Sequence, residues 1–123
     1  MKTDKLISMF TQQEEFMSLL KKKRNFPNFP VDLETKVGQN TLKEITHNCM
    51  DELFEANQEL KNSKQHRVTE VSGFNRDAYV EELVDALHYF FEIVIASGVS
   101  SDELYDAYMK KGDINTKRIE NGY

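Results

Sequence analysis

The chain has no tryptophan, one cysteine, two prolines and five glycines in 123 residues. A lone Cys49 excludes an intramolecular disulfide and fits a reducing cytosol, bacterial or that of a phage-infected host. Three histidines and this cysteine lack the spacing of a zinc set. The shortage of proline and glycine favours long helices, and few stretches alternate as strands do. Basic residues are also in deficit: 16 Lys and Arg face 21 Asp and Glu, a net charge of -5. That balance excludes a broadly basic nucleic-acid surface. Acids and glutamines stand before Arg24 where a signal peptide needs an apolar stretch. The longest apolar run is broken by Asp85, His88 and Glu92, so no membrane span is expected. What remains is one all-α domain over residues 1–123, a bundle of four to five helices. A domain this small, with elongated helices, is expected to complete its core by homodimerisation or in a higher oligomer.

Val80–Gly98 is the most apolar part of the chain. Val80, Leu83, Val84, Leu87, Phe91 and Val94 recur at helical spacing, and a helix so apolar is expected to be buried on several sides. Gly98 suits its C-terminus, and Asn75 or Asp77 its N-cap. A first helix is expected over Thr3–Arg24, with Phe10, Phe16, Met17 and Leu20 on its apolar face. Its closing Lys21–Arg24 run complements the helix dipole. Asn25–Val31 reads as a loop, because two X-Pro pairs favour extended backbone. A second helix is expected from Asn40, since Thr41 and Glu44 have capping-box spacing, and runs to about Lys61. Asn62–Arg76 is a polar connection, with a short extended piece at Val68–Val71. Ser100 and Glu103 form another capping box opening a fourth helix. Gly112 is expected to end or bend it, with a further helical segment over Asp113–Asn121.

Carboxylates on an apolar helix need a reason, because buried charges are costly unless paired or bound to a metal. Glu82 and Asp85 lie three apart on one face of the third helix, and the second helix repeats the arrangement at Glu52 and Glu55. If these helices pack antiparallel, four carboxylates converge and repel one another without a cation. An all-oxygen donor set suits Mg²⁺, with Mn²⁺ as second choice. Mg²⁺ commonly bridges to substrate phosphates, so the chemistry expected is metal-assisted attack of water on a phosphoric anhydride. Two other readings stay open. A di-iron carboxylate bundle normally needs Glu-x-x-His pairs, and only Asp85–His88 has comparable spacing. A non-catalytic helical interaction protein would carry these acids as a solvated face.

Glu52-x-x-Glu55 followed by Glu82-x-x-Asp85-x-x-His88-Tyr89 resembles the two metal motifs of the all-α nucleoside triphosphate pyrophosphatases. That superfamily includes dimeric dUTPases, phage dCTPase/dUTPases and MazG-like enzymes. Tyr108-x-x-Lys111, Asn115-x-x-Arg118 and Asn121-Gly122-Tyr123 resemble the C-terminal pattern of the dimeric dUTPases. The resemblance runs from about Phe10 to the C-terminus. It implies that Glu52, Glu55, Glu82 and Asp85 hold Mg²⁺, and that Glu52, or else Glu55, also handles the attacking water. It implies further that Lys111 and Arg118 neutralise the phosphates, Asn115 bonds phosphate or sugar, Tyr89 stacks on the base, and Gln13, or else Gln12, reads the base edge. Lys64-Gln-His66-Arg67 is similar to a K-x-W-K stretch after the first motif, with Lys64 a substrate contact and His66 where the tryptophan would be. The implied activity is hydrolysis of dUTP to dUMP and pyrophosphate, with dCTP or a broader nucleotide range as the alternative. Read without the resemblance, Tyr89, His88 and Cys49 are core residues, and Glu59 and Glu92 are solvated or lie behind the acidic site.

Overall fold

The computed structural model describes residues 4–122. It contains four helices: α1 (Lys5–Lys23), α2 (Lys36–Asn57), α3 (Arg76–Ala96) and α4 (Ser101–Glu120). There is no strand among the described residues, so the fold is all-α. No single helix is long and apolar enough to cross a membrane. The chain divides into two compact units, one of residues 32–93 and one of residues 1–31 with 94–123. The first holds α2 and all of α3 except its last turn; the second holds that turn, α1 and α4.

In the unit of residues 32–93, α2 begins four residues before the expected start. Thr35 is the N-cap, its Oγ1 accepting from the Gly38 N–H at 3.0 Å. The turn before it is tied by the Asp32 carboxylate, which accepts from the Glu34 N–H at 2.9 Å, and by the Thr35 hydroxyl, which donates to the Asp32 carbonyl at 2.8 Å. Thr41 does not cap the helix. It lies inside it, donating its hydroxyl to the Val37 carbonyl. Gly38 is required because a Cβ there would collide with the Asp32 carbonyl. Helix α2 ends at Asn57, short of the expected Lys61. The connection to α3 contains turns but no extended ladder, so Val68–Val71 is not a strand. Phe74 stacks against Tyr79 at 5.7 Å, holding the end of this connection on α3. Asn75 caps α3, its side-chain oxygen accepting from the Ala78 N–H at 3.0 Å.

In the other unit, Asp4 caps α1 by accepting from the Ile7 N–H, and the expected start at Thr3 lies outside the described residues. α1 packs on α4. Phe10 and Met17 are buried on α1, with Gln13 between them. The end of α3 closes as a Schellman motif: the Val99 N–H donates to the Val94 carbonyl and the Gly98 N–H to that of Ile95. Gly98 has φ +79°, and a Cβ there would stand 3.3 Å from that of Pro30. The Val31 N–H donates to the Ala96 carbonyl at 2.9 Å, binding the proline-containing loop to the same helix end. Ser100 caps α4 by accepting from the Glu103 N–H. α4 runs unbroken through Gly112, so the expected end or bend there does not occur.

Helix α3 is less covered than its composition suggests. Ala86, Phe91, Val94 and Ala96 are buried, but Val80, Leu83, Val84 and Leu87 are each between 38% and 43% exposed. On α2, Met50, Leu53 and Phe54 are exposed as well.

Candidate metal centre

Glu52 and Glu55 lie one turn apart on α2, and Glu82 and Asp85 one turn apart on α3, so each pair projects from a single helix face. The helices are brought together at a small residue. The Cys49 thiol donates to the Ala86 carbonyl at 3.3 Å. This contact sits one turn before Glu52 and one residue after Asp85. Ala86 is 4% exposed, and a larger side chain there would hold the helices apart.

Carboxylate oxygens of Glu52, Glu82 and Asp85 therefore lie within 4.8 Å of one another. Glu55 completes the group, its side chain hydrogen-bonded to both Glu52 and Glu82. A hydrogen bond between two carboxyl groups requires a shared proton. Even so, one oxygen of Glu52 and one of Glu82 are buried with no hydrogen-bond partner. Burial is the main cause that raises the Glu52 carboxyl, to about 7, and the hydrogen bond and charge of Glu55 and the charges of Asp85 and Glu82 add to it. Glu82 is raised too, first by burial, then by Glu55 and Asp85, against a smaller opposing hydrogen bond from Glu52. Such a cluster holds protons at neutral pH unless a cation replaces them. Convergent hard oxygens with orphaned lone pairs fit a small divalent ion such as Mg²⁺ or Mn²⁺.

Tyr89 follows Asp85 by one turn on the same face and is half-buried. Its phenol is raised by burial first, then by the charges of Glu92, Glu52, Asp85 and Glu55. The ring thus stands in the field of the carboxylates, as a residue beside the cluster must. Lys64 belongs to the same unit but is exposed in the connection after α2, in a turn where its carbonyl accepts from the Arg67 N–H. His88 is exposed, not a core histidine. The remaining residues expected at the site lie in the other unit. Gln13 is buried on α1, and Lys111, Asn115 and Arg118 are exposed along one face of α4. Of the terminal Asn121-Gly122-Tyr123 motif, Tyr123 lies outside the described residues.

A family model described as dUTPase matches residues 12–123. The chain belongs to the dUTPase family. As a dUTPase-like protein it is a nucleoside triphosphate pyrophosphatase, a hydrolase acting on nucleotides. Comparison with curated proteins and with solved structures gave no match. The family generally uses a divalent metal, and the Glu52, Glu82 and Asp85 group is able to bind one.

Two features of this dUTPase-like site were not anticipated from the residues. The first is the contact of Cys49 with Ala86, which sets the register of the two acidic pairs. Its only sequence signal is a small residue directly after Asp85. The second is how deeply Glu92 is buried, 6% exposed, which rules out the solvated one of its two expected places. Its signal is the spacing 82, 85, 89, 92, which keeps it on the stripe that carries the acids.

Proposed function

We propose that this dUTPase-like protein hydrolyses dUTP to dUMP and pyrophosphate, using Mg²⁺ held by Glu52, Glu55, Glu82 and Asp85. The observation that carries the reading is the convergence of Glu52, Glu82 and Asp85, with one buried oxygen of Glu52 and one of Glu82 left unpaired. Bound there, Mg²⁺ would neutralise phosphate oxygens and make a water molecule more acidic. Glu52 orients the attacking water and accepts its proton; Glu55 shares that task by holding Glu52 through their hydrogen bond. Tyr89 provides a flat apolar face for the base. Gln13 reads the base edge by donating its amide N–H to a base carbonyl. Lys111 and Arg118 offset the charge that builds on the phosphates as the anhydride breaks, and Asn115 and Lys64 fix the phosphate chain or sugar.

The working form in this proposal is a homodimer in a reducing cytosol. The exposed Leu83, Val84 and Leu87 on α3 and Met50, Leu53 and Phe54 on α2 support it, because a second copy would remove them from water. The test is pyrophosphate release from dUTP, dCTP, dTTP, dATP, dGTP and UTP, each with Mg²⁺ and with EDTA. Mg²⁺-dependent preference for dUTP is the expected result. Preference for dCTP would keep the metal centre and overturn the base assignment. No release from any of the six would overturn the proposal.

A further inference from the structure

Glu92 is a buried carboxyl that the proposed reaction does not use. It is 6% exposed, and burial pushes its carboxyl above the usual carboxylate range. A desolvated acid is costly, and proteins tend to keep such groups where they meet a partner. Its place in the fold limits what that partner can be. Glu82, Asp85, Tyr89 and Glu92 succeed one another at spacings of three, four and three, so they form one stripe along α3. Glu92 stands one turn beyond Tyr89 and two turns beyond Asp85, about 10 Å along the helix axis. The same face thus carries, in order, acids suited to a cation, an aromatic ring and a buried carboxyl.

A nucleotide has the matching order of parts: anionic phosphates, a flat base, and a polar base edge with a donor next to an acceptor. The separation of Asp85 and Glu92 is comparable to the reach from a nucleotide's phosphates to that edge. Resting on the reading of the site as a dUTP pyrophosphatase, we propose that Glu92 reads the base, its carboxyl hydrogen-bonding N3–H and the adjacent carbonyl of uracil. A neutral carboxyl supplies one acceptor and one donor, the complement of that pair. Burial favours its neutral form and keeps competing water away.

The test compares dUTP with 3-methyl-dUTP, which lacks the N3 proton, on the wild-type enzyme and on Glu92→Met and Glu92→Gln. Wild type is expected to prefer dUTP by about 100-fold in kcat/KM, since a site built for a hydrogen bond rejects the analogue without it. Glu92→Gln keeps a donor and an acceptor and is expected to retain the preference. Glu92→Met is expected to lose activity on dUTP and to bring the two substrates within about threefold of each other. A preference unchanged in Glu92→Met would overturn the inference and leave Glu92 a packing residue. So would a wild type that does not distinguish the two substrates. Hydrolysis of dUTP by wild type scores the underlying reading separately: if wild type cleaves no nucleotide, that reading fails and this one falls with it.

Discussion

Binding of Mg²⁺ should expel a proton from Glu52, and the pH dependence of that exchange can be worked out from the site. Folding raises the Glu52 carboxyl from 4.5 to about 7, chiefly by burial and by Glu55. An acid raised on folding binds its proton more tightly in the folded state. Its contribution to the stability of the metal-free protein is therefore fully present below about 4.5 and is lost as pH rises through about 7. A cation competes with that proton. With a value of about 7, roughly nine-tenths of Glu52 is protonated at pH 6 and roughly one-tenth at pH 8. Apparent Mg²⁺ affinity should then rise about tenfold from pH 6 to pH 8, while protons released from Glu52 per ion fall from about 0.9 to about 0.1. Glu82 is raised as well and pushes release in the same direction. Titration calorimetry in two buffers of different ionisation enthalpy measures both quantities. Glu52→Gln should remove most of the pH dependence. Equal affinity at pH 6 and pH 8, with no buffer-dependent heat, would refute the argument that the carboxylates share protons which the ion replaces.

Three further outcomes are expected. Glu82→Gln and Asp85→Asn should each lower kcat by about 100-fold or more while circular dichroism keeps its helical signal, because charge at the reacting phosphates is lost and the helices are not. Thr35→Ala should cost about 1 kcal/mol in urea unfolding, the usual loss of an N-cap, whereas Thr41→Ala should cost less than half of that. Leu83→Glu should turn a dimer into a monomer in light scattering, because it sets a charge in the exposed apolar stripe of α3.

Much of the fold was legible because periodicity and caps agree along most of the chain. Ser100, Asn75 and Gly98 do what their residue types suggest, closing or opening helices at the expected places. The start of α2 was not legible. Thr41 and Glu44 have good capping-box spacing, but Thr35 forms a cap earlier because Gly38 lets the Asp32 carbonyl come close. That approach depends on a backbone turn, which spacing does not encode. Gly112 was misread for a related reason: a glycine costs a helix interior only about 1 kcal/mol, and the residues on both sides of it continue the helix. The apolar stripe from Val80 to Leu87 announced burial, but periodicity cannot say whether the cover comes from the same chain.

The convergence of acids from two helices was legible because each pair has one-turn spacing, and the structure brings Glu52, Glu82 and Asp85 into a group able to bind a cation. Their separation was not, since it depends on the small Ala86 and its contact with Cys49. Glu92 was left between a solvated place and one behind the acidic site, and its burial removes the solvated alternative, as its spacing on the stripe of Asp85 and Tyr89 suggests.

Conversion of dUTP followed by ³¹P NMR, first with metal-free protein and then after addition of Mg²⁺, tests the proposed reaction most directly. No change is expected before the ion is added, and dUMP with pyrophosphate in equal amounts afterwards. Turnover in the presence of EDTA, or formation of dUDP and phosphate, would contradict it.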